Sequence, residues 1–186
     1  MKKTLLYIFM LSVILLNQRV EACVGKTLFI GVTDAPNERL FAEMISVLVA
    51  ERTGTSVKIV SYKDARDLYS AVKKGEVGLF IDNADRALNI LGKPPETNSR
   101  TAYETVKKAC RASQNLVWLE PFGGSQYYAP VISLETINNL PALPKLVNKL
   151  GGMVNDETCA RLLRAVKGDD KAKKVAKDFL KSRKLI

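Results

Sequence analysis

The stretch from Thr27 to Gly54 constrains the fold more than any other part of the chain. It opens with a short apolar run, Thr27–Val32, and passes through the turn formers Thr33, Asp34, Ala35, Pro36 and Asn37. It then continues as a long segment closed by Gly54. Within that segment Leu40, Phe41, Met44, Ile45, Leu48 and Val49 recur at the spacing of one helical face. Asp34 is placed to cap the helix and Pro36 suits its first turn. A strand feeding a helix through a polar turn is the first half of a βαβ unit. Open α/β sheets take ligands at the carboxyl ends of such strands, so the turn Thr33–Asn37 is the first place to look for function.

The rest of the chain repeats this grammar. Val57–Val60 reads as a second strand. Asp64 caps a helix with Ala65, Leu68, Tyr69 and Val72 inward, ended by Gly75. Val77–Ile81 reads as a buried parallel strand, with Asp82, Asn83, Ala84 and Asp85 at its carboxyl end and a helix through about Leu91. Gly92–Arg100 holds two prolines and cannot form a regular element. Thr101–Ala112 is helical. Leu116–Leu119 and Tyr127–Ile132 are the last strands, separated by the glycine-bearing loop Pro121–Gln126, and the remainder is helical. The expected fold is α/β: a mostly parallel sheet of about five strands with helices on both faces.

The first 22 residues read as a signal peptide. Lys2 and Lys3 form a basic end, Leu5–Leu16 is apolar apart from Ser12, and Val20-Glu21-Ala22 precedes a cut before Cys23. The expected location is periplasmic or extracellular. Cys23 also admits a lipoprotein reading, against which Asn17, Gln18 and Arg19 intervene between the apolar run and the cysteine. Residues 23–186 then form one domain.

The chain has no histidine, and no CxxC, HExxH, GxSxG or P-loop spacing. The usual general base and the usual metal ligand are missing together, which argues against an enzyme and against a metal or other cofactor. The formal charge is +10, and from Lys167 onward eight Lys/Arg stand against three Asp. These lysines surround an apolar stripe of Ala172, Val175, Ala176, Phe179 and Leu180, as on the solvated side of a terminal helix. Export makes nucleic acid an unsuitable partner. Three cysteines allow one bridge in an exported chain. Cys23 and Cys110, both near amino ends of strands, are the expected pair, with Cys159 buried and free beside Leu162 and Leu163.

GVTDAPNERLFAEMISVLVAERTG followed by VKIVSY resembles the start of the solute-binding proteins of glycine betaine/choline ABC importers. SAVKKGEVGLFIDNADRAL is similar to that family's "ALKSGEIDLYPEYTGTAL", and LVWLEP, YYAPVI, LPKLVNKLGGMVNDET and VAKDFLKSRKLI follow its closing order. The resemblance implies one lobe of a type II periplasmic binding protein. The family's second lobe would fall between Gly92 and Asn115, where this chain has a linker and one helix.

The same resemblance implies a site on the loops after the strands, where aromatic faces hold a quaternary ammonium group. Thr33, Asp34, Asn37, Asp82, Asn83, Arg86, Gln126, Tyr127 and Tyr128 are the candidate ligand-binding residues. The match is incomplete. The family's cage tyrosine falls on Asn83 and the following threonine on Ala84, and the aromatic of its later loop falls on Gln126, one place before Tyr127. Each residue also has a plainer role: Asp82, Asn83 and Asp85 as helix caps, one of Tyr127 and Tyr128 as core. The expected partners are a small polar or quaternary ammonium solute and an ABC permease. The alternative is a repurposed single lobe that presents Phe122, Tyr127 and Tyr128 at an open edge to an exported protein or to a second copy.

Overall fold

The computed structural model describes residues 27–166 and 169–186, so the leader and Cys23 lie outside the described residues. Its elements follow in the order β1 (Leu28–Val32), α1 (Pro36–Thr53), β2 (Val57–Ser61), α2 (Ala65–Lys73), β3 (Leu79–Asp82), α3 (Ala84–Ile90), α4 (Ser99–Gln114), β4 (Leu116–Trp118) and β5 (Ala129–Ser133). Helices α5 (Leu134–Asn139), α6 (Leu143–Val147), a 3₁₀ turn (Asn148–Leu150), α7 (Asp156–Ala165) and α8 (Asp169–Ser182) complete it.

The five strands form one sheet in the order β2-β1-β3-β5-β4. β1 runs parallel to β2 and β3, whereas β5 is antiparallel to both β3 and β4. The reversal follows from the connection between β4 and β5. Residues 119–128 contain no helix, and a parallel return needs a longer crossover, usually helical. The sheet is therefore mostly parallel, as expected, with β5 as its one reversed strand. The reversal also starts β5 at the carboxyl edge of β3, in a register that sets Ala129 opposite Asp82.

Two cores lie on the two faces of the sheet. One joins Leu28, Ile30, Val32, Leu79, Ile81 and Ile132 to α1, α6, α7 and α8. The other joins Phe80, Trp118, Ala129 and Val131 to α2, α3 and α4. Alternation along each strand sends successive side chains to opposite faces, so Phe80 lies on one side and its neighbours Leu79 and Ile81 on the other. All six residues expected on the inner face of α1 are buried to 2% exposure or less. Their burial contributes on the order of 10 kcal/mol gross, at roughly 1.5–3 kcal/mol each. α1 also buries Ala42, Glu43 and Val47, because α8 packs over the side that a surface helix would leave wet.

Two sequence expectations are corrected locally. The N-cap of α1 is Ala35, which makes no side-chain cap bond, and Asp34 stands exposed one residue earlier. Phe122, expected at an open edge, is fully buried and stacks on Phe41 with ring centroids 4.2 Å apart. α3 ends at Ile90, Asn98 caps α4, and α4 packs against α3 and β4, so the helix begins two residues earlier than expected and takes in Ser99 and Arg100. Cys110 is fully buried on α4, where burial pushes its pKa up, and it has no disulfide partner among the described residues; the expected bridge to Cys23 lies outside them. Cys159 likewise has no disulfide partner among the described residues, but it is only partly buried.

Candidate functional site

The carboxyl edge of the sheet gathers the turn after β1, the residues after β3 and the connection from β4 to β5. Two compartments stand there, with Tyr128 between them.

The first is a closed polar network centred on Arg86. Arg86 lies one helical turn beyond Asp82, so its guanidinium folds back over the end of β3. Its Nε donates to Asp82 Oδ1 at 2.5 Å, its first terminal nitrogen to Glu38 Oε1 at 2.5 Å, and its second to the Ile81 carbonyl at 2.8 Å. Asp82 also accepts from the Tyr69 hydroxyl at 2.6 Å and from the Asn83 N–H at 2.8 Å. Glu38 accepts from the N–H and the hydroxyl of Thr33, at 2.8 and 3.0 Å. Glu38 and Asp82 have no solvent exposure at all. Burial raises the Asp82 carboxyl above its ordinary value, although Arg86 and Tyr69 pull it back. The Tyr69 phenol is held well above its usual range by the same burial and by the Asp82 charge. Asn83 caps α3, accepting from the Arg86 N–H at 2.9 Å.

The second compartment is an open hollow of about 180 Å³. Asn37, Phe41, Gln126, Tyr128, Asp156 and Cys159 contribute to its lining. The Gly123-Gly124 turn forms one rim, with both residues at positive φ. At Gly124 a side chain would collide with Asp156, whose carboxylate accepts the Ser125 N–H at 2.9 Å. Glycine is needed here both for the backbone conformation and for the close approach.

The sequence-derived residues therefore divide. Thr33, Asp82, Asn83 and Arg86 meet in the network, and Asn37, Gln126 and Tyr128 line the hollow. Asp34 makes neither set. Tyr127 and Tyr128 separate at the start of β5: Tyr128 leans on Phe41 at 5.9 Å, whereas Tyr127 turns to the opposite face, 6.2 Å from Tyr103. Neither ring stands wholly outward, so the expected pair of exposed aromatics is not formed. Tyr127 reaches its position with φ at 47°, a strained value for a residue of this size.

Sequence reasoning missed Glu38, Tyr69 and Asp156. Glu38 carried a signal, because it is the third residue of α1, where a glutamate reaches back to free N–H groups ahead of the helix. Tyr69 carried none, since only the fold brings it over Asp82. A larger groove of about 200 Å³ opens at the opposite end of the sheet, around Phe29, Val72, Gly78 and Thr136, and holds none of the candidate residues.

Residues 26–138 match the family described as the substrate binding domain of the ABC-type glycine betaine transport system. The chain belongs to that family. Solved structures share the fold. A crystal structure of a glycine betaine/carnitine/choline ABC transporter superposes with a TM-score of 0.79 at 11% identity, covering 87% of this chain and 99% of that one. The apo form of YehZ from Escherichia coli gives 0.75 at 12% identity, over 87% and 100%. Lactococcal OpuAC, in its closed form with glycine betaine, gives 0.50 at 9% identity, over 86% and 96%. At these identities the likeness is one of fold. No curated protein matches the chain. The family is one of solute-binding proteins, not enzymes.

Proposed function

We propose that the chain is an exported solute-binding protein that takes a small polar or quaternary ammonium solute in the hollow beside Tyr128. One observation carries this reading: Asn37 from α1 and Gln126 and Tyr128 from the approach to β5 converge on one hollow at the ligand-binding edge of an open sheet. Tyr128 offers an aromatic face and a hydroxyl, Asn37 and Gln126 offer amides, and Asp156 offers a carboxylate at the rim. Export rests on the leader sequence, and an ABC permease is the partner that family membership suggests.

Titration calorimetry of the chain from Cys23 onward against glycine betaine, choline and proline tests the reading. Cys159 gives a second readout, because a solute in the hollow covers its thiol. Bound solute is expected to slow maleimide labelling of Cys159, followed by peptide mass spectrometry. No heat and no protection with any of these solutes at millimolar concentration would sink the proposal.

The openness of the hollow favours a second reading, in which the edge docks an exported protein or a second copy. A shallow half-site gives a small molecule few contacts. An association in solution that Gln126→Ala and Asn37→Ala both abolish, with no solute heat, would select this reading over the first.

A further inference from the structure

The network around Arg86 has the composition of a cation site that is already full. Two carboxylates without solvent exposure, Glu38 and Asp82, converge from α1 and β3, and a phenol and two backbone N–H groups orient them. Such a pair left to itself would carry two uncompensated buried charges, which is strongly unfavourable. What compensates it is one guanidinium, tethered to α3. Arg86 spends its Nε on one carboxylate, one terminal nitrogen on the other and the second terminal nitrogen on a carbonyl. The Arg86 side chain keeps 20% exposure, whereas the two carboxylates it joins have none. Tyr128, on the lining of the neighbouring hollow, is close enough to Asn83 and to the charges of Glu38, Arg86 and Asp82 for them to act on its phenol, whose pKa burial pushes up.

We propose that Arg86 is the specificity-determining residue of this edge: a tethered cation that occupies the Glu38–Asp82 pair and keeps a free cation from entering beneath Tyr128. With the deep position filled, the positive end of a solute is left at the rim, where Tyr128 and Asp156 meet it. Without Arg86 the same two carboxylates form an anionic recess with its orienting hydrogen bonds in place. The inference rests on the solute-binding reading only for its bearing on transport, since the recess can be probed directly.

The experiment uses the mature chain and its Arg86→Ala variant, with ethylguanidine as a stand-in for the missing group and choline as a solute. Wild type is expected to give no saturable heat with ethylguanidine at millimolar concentration. Arg86→Ala is expected to bind it saturably, with a rise in Tm, and to bind choline more tightly than wild type does. The triple variant E38Q/D82N/R86A, with the recess uncharged, is expected to lose both gains. A folded Arg86→Ala that titrates like wild type overturns the proposal, as does wild-type choline affinity equal to or above that of the variant. If Arg86→Ala does not fold alone, it is refolded with ethylguanidine; failure there, beside successful recovery of the triple variant, also overturns the proposal. A wild type that binds none of the test solutes defeats the solute reading while leaving the ethylguanidine comparison intact.

Discussion

The two compartments at the carboxyl edge are built on opposite terms. Around Arg86 the carboxylates are fully buried and joined to one another, whereas around the hollow Gln126 and Asp156 are exposed and Asn37 and Tyr128 half-buried. The first arrangement fixes geometry. It ties the turn after β1 to α1 through Glu38, and α1 to β3 through Arg86. The second can accept something new. A polar residue at a ligand-binding edge is thus no guide to binding until its hydrogen bonds are counted, and four of the nine residues singled out by sequence belong to the closed side.

The contrast can be broken most strongly at Arg86. Arg86→Ala strands two buried carboxylates and is expected to cost about 3–5 kcal/mol in urea unfolding. A loss of less than about 1 kcal/mol, the value of a surface ion pair, would mean that the network is solvated. Tyr69→Phe removes one hydrogen bond to a charged group and is expected to cost about 1.5–3 kcal/mol.

Asp82 sharpens the comparison through pH. Its carboxyl is raised in the folded chain, first by burial, so the native state holds this proton to higher pH than the unfolded state does. Ionisation then costs stability: the cost is absent below the unfolded pKa and complete above the folded one. Asp82→Asn cannot titrate, so the stability of wild type relative to that variant should fall as pH rises from the acid range. Urea melts across pH measure it, and a relative stability that grew with pH would mean that Arg86 outweighs burial.

The smallest stability effects belong to the hollow. Asn37→Ala and Gln126→Ala are expected to change unfolding by no more than about 0.5 kcal/mol, as surface substitutions do. Both should nevertheless weaken solute heat and Cys159 protection. Destabilisation well beyond that figure would place these side chains in the frame instead.

The same division decides what the sequence could disclose. Elements were legible because periodicity is local: the buried face of α1, the caps at Asp64 and Asn83, and the break after Leu91 all follow from neighbouring residues. The reversed β5 was legible too, had the missing crossover between Trp118 and Ala129 been weighed. The network was not. Glu38 and Arg86 lie 48 residues apart and meet only because β1 and β3 are adjacent in the sheet. Tyr127 and Tyr128 read as one aromatic pair, yet the left-handed turn at Tyr127, just ahead of β5, sends them to separate cores.

The burial of α1 beneath α8 bears on how the chain reaches this state. Lys177 donates to Glu51 across 126 residues of sequence, and Arg52 to the Leu185 carbonyl across 133. A helix near the amino end, with ten buried residues, is thus covered in part by the last helix of the chain. Contacts of such long range are closed late and slow folding, because the entropy of the intervening loop is lost before the contact is gained. A chain emerging amino end first leaves one flank of α1 uncovered until Ala176, Phe179 and Leu180 are available. Completion of this core therefore waits for the carboxyl end of the chain, so a truncation that removes α8 would leave one flank of α1 bare.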